Sequence, residues 1–255
     1  MSAAAAAAIW HDVECGSYGA DLPLWEELAE RCGGPVLELG CGTGRVALHL
    51  ARRGHRVVGL DRDPDLLAVL QQRASDFRHS GVGPKSAAPA DLVEPLLADA
   101  RRFELEAPTS LVLAPTHLLQ LLADSGERAE SLRCIAAAMR PGGTFAATII
   151  EEMPEPDGAP PPLPDVREVD GWVYSSLATE AAVGPGEIVV RRLRQTVSPQ
   201  GSLSEEPNEV RIATFSAATL EAEAEPLGLL PAGRREIGPT DIHVGSTVVL
   251  LEKRS

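Results

Sequence analysis

The sequence predicts an α/β protein with a doubly wound, mostly parallel sheet that is covered by helices on both faces. Three observations support this fold class. The apolar stretch Val36–Leu39 runs into the glycine-rich segment Gly40–Gly44 and then into a helical pattern, which is the order of strand, tight turn and helix. A second apolar stretch ends at Asp61, 21 residues after Gly40, where such folds place an acid that binds ribose hydroxyls. Further strand-like stretches follow as far as Ile150.

The chain before the first strand is predicted to contain one helix. Asp21 suits the N-cap position and Pro23 suits the first turn, so this helix should run from about Leu22 to Arg31. The alanine run within Met1–Ala8 has no basic flank and no long apolar core, so we do not expect a signal peptide there.

The spacing of the glycines distinguishes one class of ligand from another. A dinucleotide site has the pattern G-x-G-x-x-G, whereas Gly40, Gly42 and Gly44 give G-x-G-x-G, with Arg45 in place of the third dinucleotide glycine. Glycine is needed in this turn because the turn demands a positive φ and because a side chain would block the close approach of a ligand. The spacing therefore disfavours a nucleotide-dependent oxidoreductase, the weakest of three functional hypotheses.

Strands and acids continue in a fixed order after the glycines. A carboxylate such as Asp61 suits a ribose diol because its two oxygens can accept two O–H donors at once. A third acid, Asp99, follows the next expected strand, and the strand after that should lead into a helix. The expected strands are Arg56–Leu60, about Val93–Leu97, Ser110–Ala114, and a fifth that begins after the turn Met139–Gly143.

Together these motifs resemble those of class I S-adenosylmethionine (SAM)-dependent methyltransferases of the small-molecule type. The resemblance covers about Leu22–Ile150 and depends on the loop Glu38–Arg45, on Asp61 and Asp99, and on a turn that is similar to the family's L-K-P-G-G. It implies a Rossmann-like sheet of seven strands, mostly parallel with an antiparallel last strand. It also implies SAM as cofactor and S-adenosylhomocysteine (SAH) as product.

The resemblance also implies a role for each part of the cofactor site. Glu38 and the glycines are expected to face the methionine end of SAM, Asp61 the ribose, and Asp99 the adenine. Tyr18 resembles the family's N-terminal tyrosine that closes over the methionine end, although Trp10 replaces the first aromatic of that segment. No metal is expected. The full set of expected cofactor contacts is Tyr18, Glu38, Gly40, Cys41, Gly42, Gly44, Arg45, Asp61, Arg62, Asp99, Ala100, Ala114 and Thr116.

Methyl transfer mainly requires that the acceptor nucleophile be aligned with the activated methyl group and that water be excluded. A base is needed only where the acceptor is protonated. His117, three residues after the fourth strand, is the first candidate base, and its alternative is a first-turn helix residue that faces solvent. His243, before the last strand, is a second candidate. Glu151, just past the fifth strand, is a candidate for neutralising an amine substrate.

The chain changes character after the fifth strand. Six prolines within Met153–Pro164 exclude regular structure there. Three strands that follow are expected to form an antiparallel lid over the substrate, or alternatively a surface sheet for oligomer contact: Gly171–Leu177, Glu187–Leu193 and Glu209–Thr214. A helix over Ser216–Pro226, capped by Ser216, and a strand pair at Leu229–Ile237 and Gly245–Glu252 should close the domain. The expected divisions are 1–32 (N-terminal cap), 33–152 (core), 153–214 (loop and lid) and 215–255 (completion of the core).

Composition narrows the class of acceptor. The net charge of −14 disfavours nucleic acid, because an acidic surface repels phosphates. Ala114–His117 stands where amino-N-methyltransferases of DNA and of protein glutamine have N/D-P-P-Y, so exocyclic amines and planar amides are disfavoured. The chain has four cysteines without a C-x-x-C pair and no apolar segment of membrane length, which indicates a cytoplasmic enzyme. We expect a small-molecule acceptor and a monomer or homodimer. A non-catalytic SAM- or SAH-binding regulatory protein is the main alternative.

Overall fold

The computed structural model of the protein describes residues 3–76, 89–153, 163–240 and 243–254. These residues form one seven-stranded sheet and one four-stranded sheet. The strands are β1 (Val36–Leu39), β2 (Val57–Asp61), β3 (Val93–Leu97), β4 (Thr109–Ala114), β5 (Met139–Ile149), β6 (Asp165–Val169), β7 (Trp172–Gly184), β8 (Glu187–Val197), β9 (Leu203–Ala213), β10 (Leu229–Ile237) and β11 (Ser246–Lys253). The helices are α1 (Ala3–Cys15), α2 (Leu22–Cys32), α3 (Arg45–Arg52), α4 (Pro64–Asp76), α5 (Pro89–Leu92), α6 (Ser125–Ala138) and α7 (Ala217–Ala224), with 3₁₀ turns at Leu118–Leu121 and Glu225–Leu227.

The seven-stranded sheet confirms the predicted fold class. Its strand order is β10-β11-β5-β4-β1-β2-β3, and β11 is antiparallel to both of its neighbours, whereas the pairings among β1 to β5 are parallel. All side chains of β1 and β4 are buried, as expected for central parallel strands with helices on both faces. One apolar cluster packs α2, α3 and α4 against one face, and a second packs α6 and α7 against the other.

The four-stranded antiparallel sheet is inserted between β5 and α7, where the sequence predicts either a lid or a surface sheet for oligomer contact, and it is called the lid below. The prediction of three lid strands was wrong, since β6 pairs with β7 and makes a fourth. The missed strand has only two apolar residues among five, without regular alternation, and immediately follows the prolines. Most of that proline segment, 154–162, lies outside the described residues.

Helix α2 begins at Leu22 with Asp21 at its N-cap position, as predicted, but the Asp21 side chain makes no cap hydrogen bond because an arginine and a tryptophan occupy its carboxylate. The predicted helix directly after β4 was wrong. The chain after β4 enters a 3₁₀ turn rather than an α-helix, since Thr116 and His117 both have positive φ. The N-terminal alanine run forms α1, which the sequence analysis did not predict. Ser216, by contrast, caps α7 as predicted, accepting from the N–H of Thr219.

Helix α1 connects the lid to the core. Trp10 packs edge-on against Tyr174 of β7, with ring centroids 5.5 Å apart. Glu14 forms a two-pronged ion pair with Arg194 of β8 at 2.8 Å. None of the described helices is both long and apolar enough to cross a membrane.

Candidate active site

The glycine loop leaves β1 and enters α3 in a tightly packed turn. Gly40, Gly42 and Gly44 have φ values of +64°, +54° and +93°, which side chains rarely tolerate. A Cβ on Gly40 would lie 2.8 Å from Leu118, and one on Gly44 would lie 2.3 Å from Leu70. Both the backbone conformation and the lack of space therefore require glycine here.

Asp61 ends β2 beside this loop. Its Oδ2 accepts the N–H of Gly42 at 2.8 Å, and its Oδ1 accepts the N–H of Asp63 at 2.9 Å. A carboxylate has about four acceptor positions, so each oxygen can still accept from a ligand. Asp61 thus orients the glycine loop and keeps the capacity that a diol needs.

Glu38 lies in the middle of β1 and is 3% exposed. Its Oε2 has no hydrogen-bond partner among the described residues. Burial raises the pKa of this carboxyl to about 8, although Arg45 and the N–H of Ala47 act in the opposite direction. Glu38 is therefore largely protonated at neutral pH and holds one unsatisfied polar atom below the glycine loop.

Arg45 is bound by the N-terminal segment rather than left open to a ligand. Its guanidinium forms two hydrogen bonds to Asp21, at 2.6 and 2.7 Å, and one to the carbonyl oxygen of Tyr18 at 2.9 Å. It also lies 5.2 Å from the centre of the Tyr18 ring. The pair is buried, since the Asp21 side chain is 0% exposed. Arg45 therefore positions Tyr18 and α2, a role that differs from the expected cofactor contact.

The expected adenine residue, Asp99, lies after β3 and is partly exposed. Both of its oxygens face Arg101, whose backbone N–H and side chain donate to it at 2.6 to 2.9 Å. This arginine lowers the pKa of Asp99 to about 2, so the group is charged. Arg62 is exposed near Asp99, and Ala100 is buried behind it.

The end of β4 carries an unusual backbone. Thr116 and His117 have φ values of +49° and +61°, which is strained for side-chain-bearing residues and is found most often at functional sites. The turn is held by Thr148 of β5, whose hydroxyl oxygen accepts the N–H of His117 at 2.9 Å. Gln120 then links the 3₁₀ turn to β5 and to the lid through Ile150 and Ala213.

The two candidate histidines lie on the same side of the domain as Tyr18. His117 Nε2 is 2.8 Å from the hydroxyl oxygen of Ser246 at the start of β11. Burial lowers the pKa of His117 to about 4, so its ring is neutral at physiological pH. His243 stacks on Tyr18 with ring centroids 4.5 Å apart, and its Nδ1 is buried without a partner in the described parts of the chain. The pKa of His243 is also lowered by burial.

A cavity of about 670 Å³ opens at the carboxyl end of β5, beside Ser246. Glu151, Glu152 and Glu236 line it. Glu151 is committed to the fold, because its Oε1 accepts the N–H of Ala217 at the start of α7 at 2.7 Å. Its other oxygen accepts from Thr247 at 3.3 Å. The same Thr247 hydroxyl lies 3.3 and 3.5 Å from the two oxygens of Glu236. Glu236 and Glu152, neither of which the sequence singled out, are the carboxylates of this cavity that can still turn to a ligand.

Two further residues that were expected to contact the cofactor, Cys41 and Ala114, are both buried. Cys41 is a buried residue of the glycine loop. Its thiol donates to the carbonyl oxygen of Gly42 at 3.8 Å and lies against β2, where a Cβ on Gly59 would be 3.0 Å from its Sγ. Ala114 is fully buried at the end of β4. His11, Asp12 and Ser246 were not selected from the sequence, and their partners lie 31 to 129 positions away. His11 and Asp12 belong to the N-terminal segment that ends at Tyr18, from which only Tyr18 was selected.

Comparison with known proteins agrees with this geometry. Residues 36–143 match the model of a methyltransferase domain. This part of the chain is a methyltransferase domain. It contains the glycine loop, Asp61, Asp99, β4 and His117, and the fold of the whole described chain is that of class I SAM-dependent methyltransferases.

One curated relative of the methyltransferase domain is the ubiquinone biosynthesis O-methyltransferase of Methylobacterium sp. (strain 4-46). It is 34% identical over 143 residues, which are 56% of this chain and 50% of that protein. The chain spans about half the length of the curated relatives it matches.

Two solved structures share the fold over nearly the whole chain. The sugar N-methyltransferase KedS8 from Streptoalloteichus sp. ATCC 53650 has a TM-score of 0.70 at 17% identity, covering 97% of this chain and 92% of that one. SAM-bound CalS10, an amino pentose methyltransferase from Micromonospora echinaspora, has a TM-score of 0.68 at 17% identity, covering 96% of each chain. At these identities the two structures establish the fold.

Proposed function

We propose that this protein is a SAM-dependent methyltransferase that methylates an amine of a small molecule. The observation that carries the proposal is the acidic cavity at the carboxyl end of β5, which opens at the same sheet edge as the glycine loop and borders the His117–Ser246 pair. In open α/β sheets, ligands bind at the carboxyl ends of the strands. Cofactor and acceptor would therefore meet at one edge.

The residues at the glycine loop fit the cofactor. Asp61 retains acceptor capacity for a diol, and Glu38 keeps one buried oxygen without a partner among the described residues. When bound, SAM supplies a methyl group that is already activated on a sulfonium. The protein's task is then to hold the acceptor in line with that group and to exclude water.

Charge at the cavity favours an amine over a neutral hydroxyl. Glu152 and Glu236 line a space that is large enough for a monosaccharide-sized compound, and carboxylates attract an ammonium. The amine must lose a proton before it can attack. The Ser246 hydroxyl borders the cavity and contacts His117, whose ring is unprotonated at neutral pH. With a pKa of about 4 this ring can pass the proton of the amine onward to water but cannot hold it. The two amino-sugar methyltransferases of the same fold are consistent with such an acceptor.

The proposal is tested with SAM labelled in its methyl group and a set of small amines, each paired with its hydroxyl analogue. We expect label to enter amines, amino sugars among them, and not their hydroxyl partners. Glu236→Gln should raise the KM for the amine, whereas Glu205→Gln, a matched change on the exposed edge of the lid, should not. Transfer to hydroxyls instead would contradict the amine assignment. SAM binding without transfer to any acceptor would favour the non-catalytic alternative.

A further inference from the structure

His11 of α1 lies directly over the glycine loop. A Cβ built on Gly42 would be only 2.1 Å from His11 Nε2 and 2.4 Å from its Cε1. The absence of a side chain at Gly42 therefore makes room for this imidazole. His11 belongs to the N-terminal segment that ends at Tyr18, but it was not selected from the sequence, and the proposed function assigns it no role.

The hydrogen bonds around His11 determine which of its nitrogens carries the proton. The Thr43 hydroxyl donates its single hydrogen to Oδ1 of Asp12 at 2.6 Å, and Asp12 is held as a carboxylate by Arg73 and Arg167. His11 Nδ1 lies 3.2 Å from the same hydroxyl oxygen. Since that oxygen has no second hydrogen to donate, Nδ1 must be the donor.

The same imidazole is neutral. Burial lowers the pKa of His11, with smaller contributions from Arg45 and Arg73, against the opposing effect of Asp12 and Asp61. A neutral ring has one N–H, and Thr43 fixes it on Nδ1. Nε2 is therefore an acceptor, and it faces the backbone of the glycine loop.

We propose that His11 Nε2 accepts a hydrogen bond from the α-ammonium of the methionine part of SAM, and that His11 is thereby a cofactor-positioning residue. The inference rests on the proposed function. The methionine part offers two polar groups, a carboxylate that only accepts and an ammonium that only donates. An acceptor nitrogen can pair only with the ammonium. Asp12 and Asp61 lie close enough to affect the charge of His11 and favour a cation over a carboxylate at this position, whereas Arg45 and Arg73 act on it more weakly in the opposite direction.

The arrangement links recognition of the cofactor to the N-terminal helix. Thr43 belongs to the glycine loop, and Asp12 connects it to Arg73 on α4 and to Arg167 on the lid. The unprotonated Nε2 of His11 therefore faces the loop only while α1 is packed against the core.

The proposal is tested by calorimetric titration with SAH and with the SAH analogue that has hydrogen in place of the amino group. Because a hydrogen bond to a charged group is at stake, His11→Phe should weaken SAH binding about ten- to a hundredfold. It should leave the affinity for the deamino analogue nearly unchanged. His11→Gln, whose amide oxygen can replace the acceptor, should recover part of the loss, and His55→Phe is the matched control.

A second readout does not depend on binding. Long-range proton–nitrogen NMR of the protein without ligand should show His11 with its hydrogen on Nδ1, and Thr43→Val should weaken that preference. An Nε2–H tautomer, unchanged or tighter SAH binding by His11→Phe, or an equal loss for both ligands would overturn the proposal while leaving the proposed function intact. Failure of the wild-type protein to bind SAH would instead overturn the proposed function and this inference together.

Discussion

Replacing Glu38 by glutamine should make the stability of the protein less dependent on pH. The Glu38 side chain is nearly inaccessible, and its Oε2 lacks a partner among the described residues. Burial raises its pKa to about 8 from its ordinary value of 4.5. Glutamine has the same shape and stays uncharged at every pH, so it mimics the protonated acid.

The sign and size of the effect follow from proton linkage. Between pH 4.5 and about 8 the folded protein binds this proton and the unfolded chain does not. The stability contributed by the protonated form is fully present below pH 4.5 and is lost as the pH rises through about 8. Each pH unit in that interval corresponds to about 1.4 kcal/mol of unfolding free energy.

The assay is urea denaturation of both proteins at pH 5.5 and at pH 7.5. The stability of Glu38→Gln relative to wild type should increase by roughly 3 kcal/mol between these two conditions. Asp65→Asn, an exposed acid on α4, serves as the control and should show no such change. If wild type and Glu38→Gln lose stability in parallel, Glu38 is ionised in the folded protein and the reasoning is wrong.

Three further predictions concern the residues around the loop. Asp21→Asn should destabilise the protein by about 3–5 kcal/mol in urea denaturation, because it leaves the buried Arg45 unpaired. The double change Asp21→Leu with Arg45→Met should recover part of this loss. A loss below about 1 kcal/mol would contradict the buried pair. Asp61→Ala should weaken SAH binding by about 1–3 kcal/mol by calorimetry, since it removes the ribose acceptor and frees the N–H of Gly42, whereas an unchanged affinity would refute the ribose assignment. His117→Gln should lower kcat more than tenfold with little change in SAH affinity. Because the pKa of His117 is about 4, kcat of the wild-type protein should not change with the titration of a histidine near pH 6.5. Equal activity of the two proteins would rule out His117 as the proton acceptor.

The parts of the fold that could be predicted are those encoded by local patterns. A central parallel strand is buried on both faces, so it requires a continuous apolar run, and the predicted Val36–Leu39 matches β1 at both ends. The predicted Leu229–Ile237 matches β10 in the same way. The glycine spacing and the acid at position 61 identify the cofactor edge because each has a strict conformational or chemical requirement.

The parts that could not be predicted depend on contacts between distant residues. Asp21 looks like an N-cap, but a buried arginine 24 positions away takes its carboxylate. His117 precedes a helical pattern, yet a Thr148 hydroxyl 31 positions away holds its backbone in the left-handed region. Glu151 looks free to meet a substrate until α7 folds back onto it, 66 positions later. In each case a partner supplied by the fold overrides the local preference.

The central claim is that the loop from Glu38 to Arg45, together with Asp61, binds SAM. Isothermal titration of the wild-type protein with SAM, SAH and NADH tests it most directly. The account predicts binding of SAM and SAH at one equivalent per chain and no binding of NADH. Binding of NADH without binding of SAM or SAH would contradict it.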